Sequence, residues 1–257
     1  MIAFLYSLSN VALTILFCSV VALVFTAAPL LRARLFGDVS EAKAEIARTI
    51  MTAVTGFTGV VLAFSLVQAQ GHLRDVEKNV EIEATQLRQL DRLLANYGGA
   101  DVVPIRNLVR DYAWSIVSDE WPKLSEHSYS ERTSELFRTL TESVLTLQPT
   151  SPRANAIYND MVRTVDQLAE SRQGRLGATD LGLPPIFWEV IGILMALLVV
   201  FAAFFERQRA LSLGGLGVGL ALLITLVFFF DQPFLGHAQA TPEPIVKTLR
   251  VMHDRVS

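Results

Sequence analysis

Residues 49–71 read TIMTAVTGFTGVVLAFSLVQAQG, a run of uncharged and mostly apolar side chains. A bilayer hydrocarbon core about 30 Å thick is crossed by roughly 20 residues of apolar helix, so the run is long enough to span it. The residues that follow, HLRDVEKNVEIEATQLRQLDRLLANY at 72–97, contain no Gly or Pro. Leu73, Val76, Val80, Leu87, Leu90 and Leu94 recur there at helical spacing, with Glu83 interrupting the seam. The pattern predicts a single helix that leaves the membrane, continues into a polar segment and stops at Gly98 and Gly99.

Three further uncharged runs lie at Ile2–Leu31, Val190–Phe205 and Leu211–Phe230, each long enough or nearly so to span. The expected fold class is therefore an all-α membrane protein with four transmembrane helices and a helical-bundle insert between the second and third spans. Its parts are a first transmembrane hairpin (1–71), the insert (72–185), a second hairpin (186–232) and a C-terminal tail (233–257). Composition agrees: the chain is 51% hydrophobic with mean hydropathy +0.40, and the apolar excess is gathered in the four runs. A formal net charge of -3 gives no footprint for nucleic acid, so that partner is not expected. Cys18 is the only cysteine, which rules out an intrachain disulfide. A cleaved signal peptide fits the first run poorly, because no basic segment precedes it and it outruns the roughly 7 to 15 residues of such apolar cores.

Arg32, Arg34, Lys43 and Arg48 lie between spans one and two, and Arg207 and Arg209 between spans three and four. Near the membrane on the other side the insert offers Arg74, Lys78, Arg172 and Arg175. Six against four favours cytoplasmic hairpin loops, with both termini and the insert outside.

Within the insert, a second helix is expected from near Pro104, with Ile105, Leu108, Val109, Tyr112 and Ile116 on one face, ending at Pro122. Ser128 and Glu131 have capping-box spacing for a third helix carrying Leu136, Phe137, Leu140 and Val144. Ser151 and Pro152 start a fourth, with Ile157, Met161, Val165 and Leu168 inward. Gly174 to Pro185 reads as a linker returning to the membrane.

The histidines His72, His127, His237 and His253 are scattered, with no Cys or carboxylate at ligand spacing, so neither a metal nor another cofactor is expected. No phosphate loop, nucleophile elbow or HExxH pattern occurs, and an enzyme is not expected. Glu83 reads as a paired or partly exposed acid rather than a proton-transfer group. Span two places Thr52, Gly56, Gly59 and Ala63 on one face, where small side chains suit helix packing. Phe57, Val61, Phe64 and Gln68 line a neighbouring face that could meet lipid, another subunit or a pore. Gly214, Gly215, Gly217 and Gly219 in span four read as close packing.

GFTGVVLAFSLVQAQ with the VEIEATQL stretch, the Glu120-Trp121 pair, and DQPFLG followed by TPEP after span four are similar to the bestrophin-like domain family of bacterial membrane proteins. The resemblance covers nearly the whole chain in order. Bestrophins proper are pentameric anion channels whose second span lines a hydrophobic neck. The resemblance thus implies a homo-oligomer, a pentamer if bestrophin-like, in a bacterial inner membrane. It implies small anions as cargo, Phe57, Val61, Phe64 and Gln68 as pore-lining residues, and Asp231, Pro233, Phe234 and Gly236 as a post-membrane turn. Two features depart from bestrophins. Only Glu243 is acidic in HAQATPEP, so the oxygen-rich set that calcium requires is missing. Bestrophins also keep the insert cytoplasmic, against the charge count, which leaves the side open. The alternative reading is a membrane-anchored sensory or scaffolding module whose bundle binds a ligand or partner, although only 27 residues follow Phe230 to carry an output.

Overall fold

The computed structural model describes residues 9–37, 39–235 and 238–254, with His253 and Asp254 described by their backbone alone. Every regular element among them is helical. Four helices are long and apolar enough to cross a membrane. The chain divides into two compact units, Met1–His72 with Gly182–Ala238, and Leu73–Leu181 with Gln239–Ser257.

The first unit contains helix α1 (Asn10–Phe36), the first part of α2 (Glu41–Tyr97), α7 (Pro185–Ala202) and α8 (Ala210–Asp231). The Ser9 side chain caps α1 by accepting from the Ala12 N–H at 3.2 Å. Helix α1 runs past Leu31 to Phe36 and takes in Arg32 and Arg34, while Ile2–Leu8 of that apolar run lie outside the described residues. Gly37, at φ 78°, closes it. The glycines of span four do serve close approach, but only two of them: a Cβ on Gly217 would stand 3.1 Å from the Phe25 ring, and one on Gly214 would collide with Thr26 Oγ1. Gly215 and Gly219 face open space. Phe25 is fully buried against this glycine face of α8. The two hairpin loops meet at one end of the unit, where Arg48 bonds Glu206 at 2.7 Å and the Arg32 guanidinium lies 5.6 Å over the Phe204 ring.

The second unit is a bundle of the remainder of α2, α3 (Val102–Ser115), a short α4 (Trp121–Leu124), α5 (Glu131–Leu145) and α6 (Pro152–Gly177), joined by α9 (Glu243–Asp254). The core is built from the seam expected of α2, with Val80, Leu87, Leu90 and Leu94 buried against Val109, Leu140, Val165 and Leu168. Gly98 and Gly99, at φ 73° and 97°, terminate α2 as their sequence implies. Ile245 and Met252 of α9 enter this core, and Thr248 Oγ1 donates to the Ala84 carbonyl at 3.2 Å.

Three local expectations are corrected. Pro122 does not end the second helix, because a five-residue π turn, Ile116–Glu120, carries the chain directly into α4. Pro122 has no N–H to give the Ser118 carbonyl, and the Trp121 N–H reaches back to Ile116 O instead. The cap of α5 is Ser130, whose side chain accepts from Thr133 N–H at 3.3 Å, not Ser128. Gly174 is no linker residue either: α6 runs through it to Gly177, and its missing side chain leaves room for Asn79, which bonds Ser171 O at 2.7 Å. The break on the way back to the membrane is confined to residues 181–184.

Candidate functional site

Helix α2 carries three longitudinal faces within its apolar run. At about 100° per residue, Met51, Thr58, Leu62, Ser65 and Ala69 share one arc of about 60°, and all five are buried. The Thr58 and Ser65 hydroxyls donate to their own helix at Val54 O and Val61 O, so this buried face holds no unpaired polar group. Phe57, Val61, Phe64 and Gln68 lie on a second arc, about a third of a turn away. Phe57 and Phe64 are each 68% exposed, while Val61 and Gln68 are half-buried. Thr52, Gly56, Gly59 and Ala63 form the third arc. Gly56 and Gly59 face open space, so within one chain these small residues pack against nothing.

The end of α8 is tied down by Asp231, whose carboxylate accepts the Leu183 N–H at 2.7 Å and a side-chain hydrogen bond from Trp188. Residues 232–235 turn through a Leu235 N–H to Gln232 O bond of 3.3 Å, which leaves Pro233 and Phe234 buried. Gly236 lies outside the described residues. Asp231→Ala leaves the Leu183 N–H unpaired and is expected to cost about 1–3 kcal/mol, read as a lower thermal midpoint in detergent. An unchanged midpoint would remove Asp231 as the tether.

The bundle holds a buried ionic cluster that sequence reading did not assemble. Arg175, on α6, donates from Nε to Glu83 Oε2 at 2.7 Å and from Nη2 to Glu120 Oε2 at 2.8 Å, and all three residues are fully buried. Arg172 Nη2 reaches Glu120 Oε1 and Ser134 Oγ, each at 2.8 Å, while its guanidinium lies 5.8 Å over the Phe137 ring. Two cations and two carboxylates cancel, which is how charge is kept in a core. Glu120 is the last residue of the π turn and follows buried Ile116 by four positions, on the face of the helix that meets the core. Tyr112 donates to Glu83 Oε1 at 3.4 Å, and burial, with Glu83 beside it, pushes the phenol well above its usual range.

Residues 16–245 match the family model of the Bestrophin-like domain. The chain belongs to the bestrophin-like family. Crystal structures of a bacterial bestrophin homologue from Klebsiella pneumoniae have the same fold. One, an isoleucine-to-threonine variant, is 13% identical with a TM-score of 0.68, covering 94% of this chain and 99% of that one. A second, phased on zinc, is 13% identical with a TM-score of 0.68, covering 93% and 97%. A tryptophan-to-alanine variant is 15% identical with a TM-score of 0.64, covering 96% and 98%. No match is found among curated protein sequences. The bestrophin-like resemblance drawn from the residues is thus the family of the chain. At this identity the likeness extends to the fold, so the roles of individual α2 residues rest on their own geometry.

Proposed function

We propose that this bestrophin-like chain assembles as a homo-oligomeric channel for small anions in a bacterial plasma membrane, with five copies if it follows bestrophins proper. The second arc of α2, Phe57, Val61, Phe64 and Gln68, lines the neck. The observation that carries the reading is the pair of large aromatic side chains, each 68% exposed, on the uncharged stretch 49–71 of a helix whose buried arc already anchors it to its own chain. The third arc supports it, because Gly56, Gly59 and Ala63 let a neighbouring copy's helix approach closely. Around an axis, Phe57 and Phe64 form two aromatic rings about 10 Å apart at 1.5 Å per residue. Rings of this kind exclude water from a narrow passage and gate it by dewetting, with no reaction chemistry involved.

The test is proximity to an axis. In a Cys18→Ser background, Phe57→Cys and Phe64→Cys should be joined between copies by a short bifunctional maleimide, whereas Leu23→Cys on an exposed face of α1 should not. A protein that is monomeric by mass, or cross-links no better at Phe57 than at Leu23, would take α2 off the axis and favour the sensory or scaffolding reading.

A further inference from the structure

A groove of about 340 Å³ runs between α1, α7 and α8 inside the membrane unit. Leu13, Phe17 and Val20 form one wall, Ile224 and Phe228 another, and Trp188 stands at one end with its ring edge-on to Phe228, 6.4 Å between centroids. Thr225 brings the only hydroxyl, and that donates to the Ala221 carbonyl at 2.8 Å. The groove therefore presents no polar group in need of a partner. Its long axis follows the helices: Leu13 to Val20 is about 10 Å at 1.5 Å per residue.

We propose that this groove is a binding site for one acyl chain of a membrane phospholipid. A preformed, concave and wholly apolar cleft in the size range of small-ligand sites recognises shape and hydrocarbon, and the hydrocarbon at this depth is lipid. Leu13, Trp188 and Phe228 each lie three residues from a helix end, at Asn10, Pro185 and Asp231. Trp188 also bonds the Asp231 carboxylate, so this end has the amphipathic character of a membrane–water boundary. The chain would enter there and lie inward along α1 towards Val20. A second copy is the less fitting occupant. The arc of small residues suited to helix–helix contact is on α2, which takes no part in the groove, an argument that rests on the neck reading above.

Tryptophan quenching by phospholipid brominated in mid-chain tests this on the full chain in mixed micelles, with the Trp188 signal taken as the difference between wild type and Trp188→Phe. The comparison is Ile15→Trp in the Trp188→Phe background, which reports lipid on an exposed α1 face turned away from the groove. Trp188 should reach half-maximal quenching at roughly tenfold less brominated lipid than that reference. Val20→Phe, which fills the groove from a half-exposed position, should erase the difference. Equal half-points in wild type, an unquenched Trp188, or a preference that survives Val20→Phe would each overturn the site. Mass measured on the same samples separates the two proposals, since preferential quenching in a monomer keeps the groove and removes the neck.

Discussion

Replacing Phe57 and Phe64 together by Ala should raise anion flux into proteoliposomes by at least about tenfold, which corresponds to about 1.4 kcal/mol removed from the barrier. Either single change should raise it by less, because two rings in series leave one dry constriction when the other is opened. Their effects should combine more than additively, as expected for residues acting on one passage. The variants should fold, since both rings are 68% exposed within the chain and neither belongs to its buried core. A chloride-sensitive dye inside the liposomes reads the rate directly. Four folded, oligomeric proteins that all pass no anion would sink the channel reading and promote a sensory or scaffolding role for the bundle.

The spans were legible because membrane helices announce themselves by length without charge, and the seam of α2 because Gly and Pro are absent from 72–97. The faces of α2 were legible only in part. Periodicity separates Phe57 and Phe64 from Gly56 and Gly59, but it cannot say which arc its own chain covers, and the covered arc is the one through Thr58, Leu62 and Ser65. The ionic cluster was missed for a different reason. The Gly- and Pro-rich stretch 174–185 reads as a linker and takes Arg175 with it, although Met161, Val165, Leu168, Ser171 and Arg175 keep a rhythm of three and four that carries the buried face straight through Gly174. An acid at a seam position, Glu83, was the complementary signal, since a carboxylate in a core demands a cation. Nothing local marks the π turn except Pro122, and nothing in the sequence pattern pairs α9 with a bundle whose last preceding helix ends at Gly177, before the second transmembrane hairpin.

Arg175→Met should be the most destabilising single change in the bundle, by about 3–5 kcal/mol, because it leaves Glu83 in the core with, among the described residues, the Tyr112 hydroxyl alone as partner. Arg172→Met should cost less. Its side chain is partly exposed, and Glu120 keeps the 2.8 Å bond from Arg175 when Arg172 is gone. Arg175→Lys should rescue little, since a single ammonium cannot reproduce a fork that grips Glu83 at both oxygens and Glu120 at a third. Removing both partners in Glu83→Leu/Arg175→Met should recover part of the loss, because the penalty lies mainly in the uncompensated charge rather than in the absent bond. Trp114 and Trp121 lie in the bundle and Trp188 in the membrane unit. Denaturant unfolding followed by tryptophan emission in a Trp188→Phe background therefore reports the bundle alone. If Arg172→Met proved as costly as Arg175→Met, the centre of the cluster would lie with Glu120 and the π turn rather than with the pairing of α2 and α6.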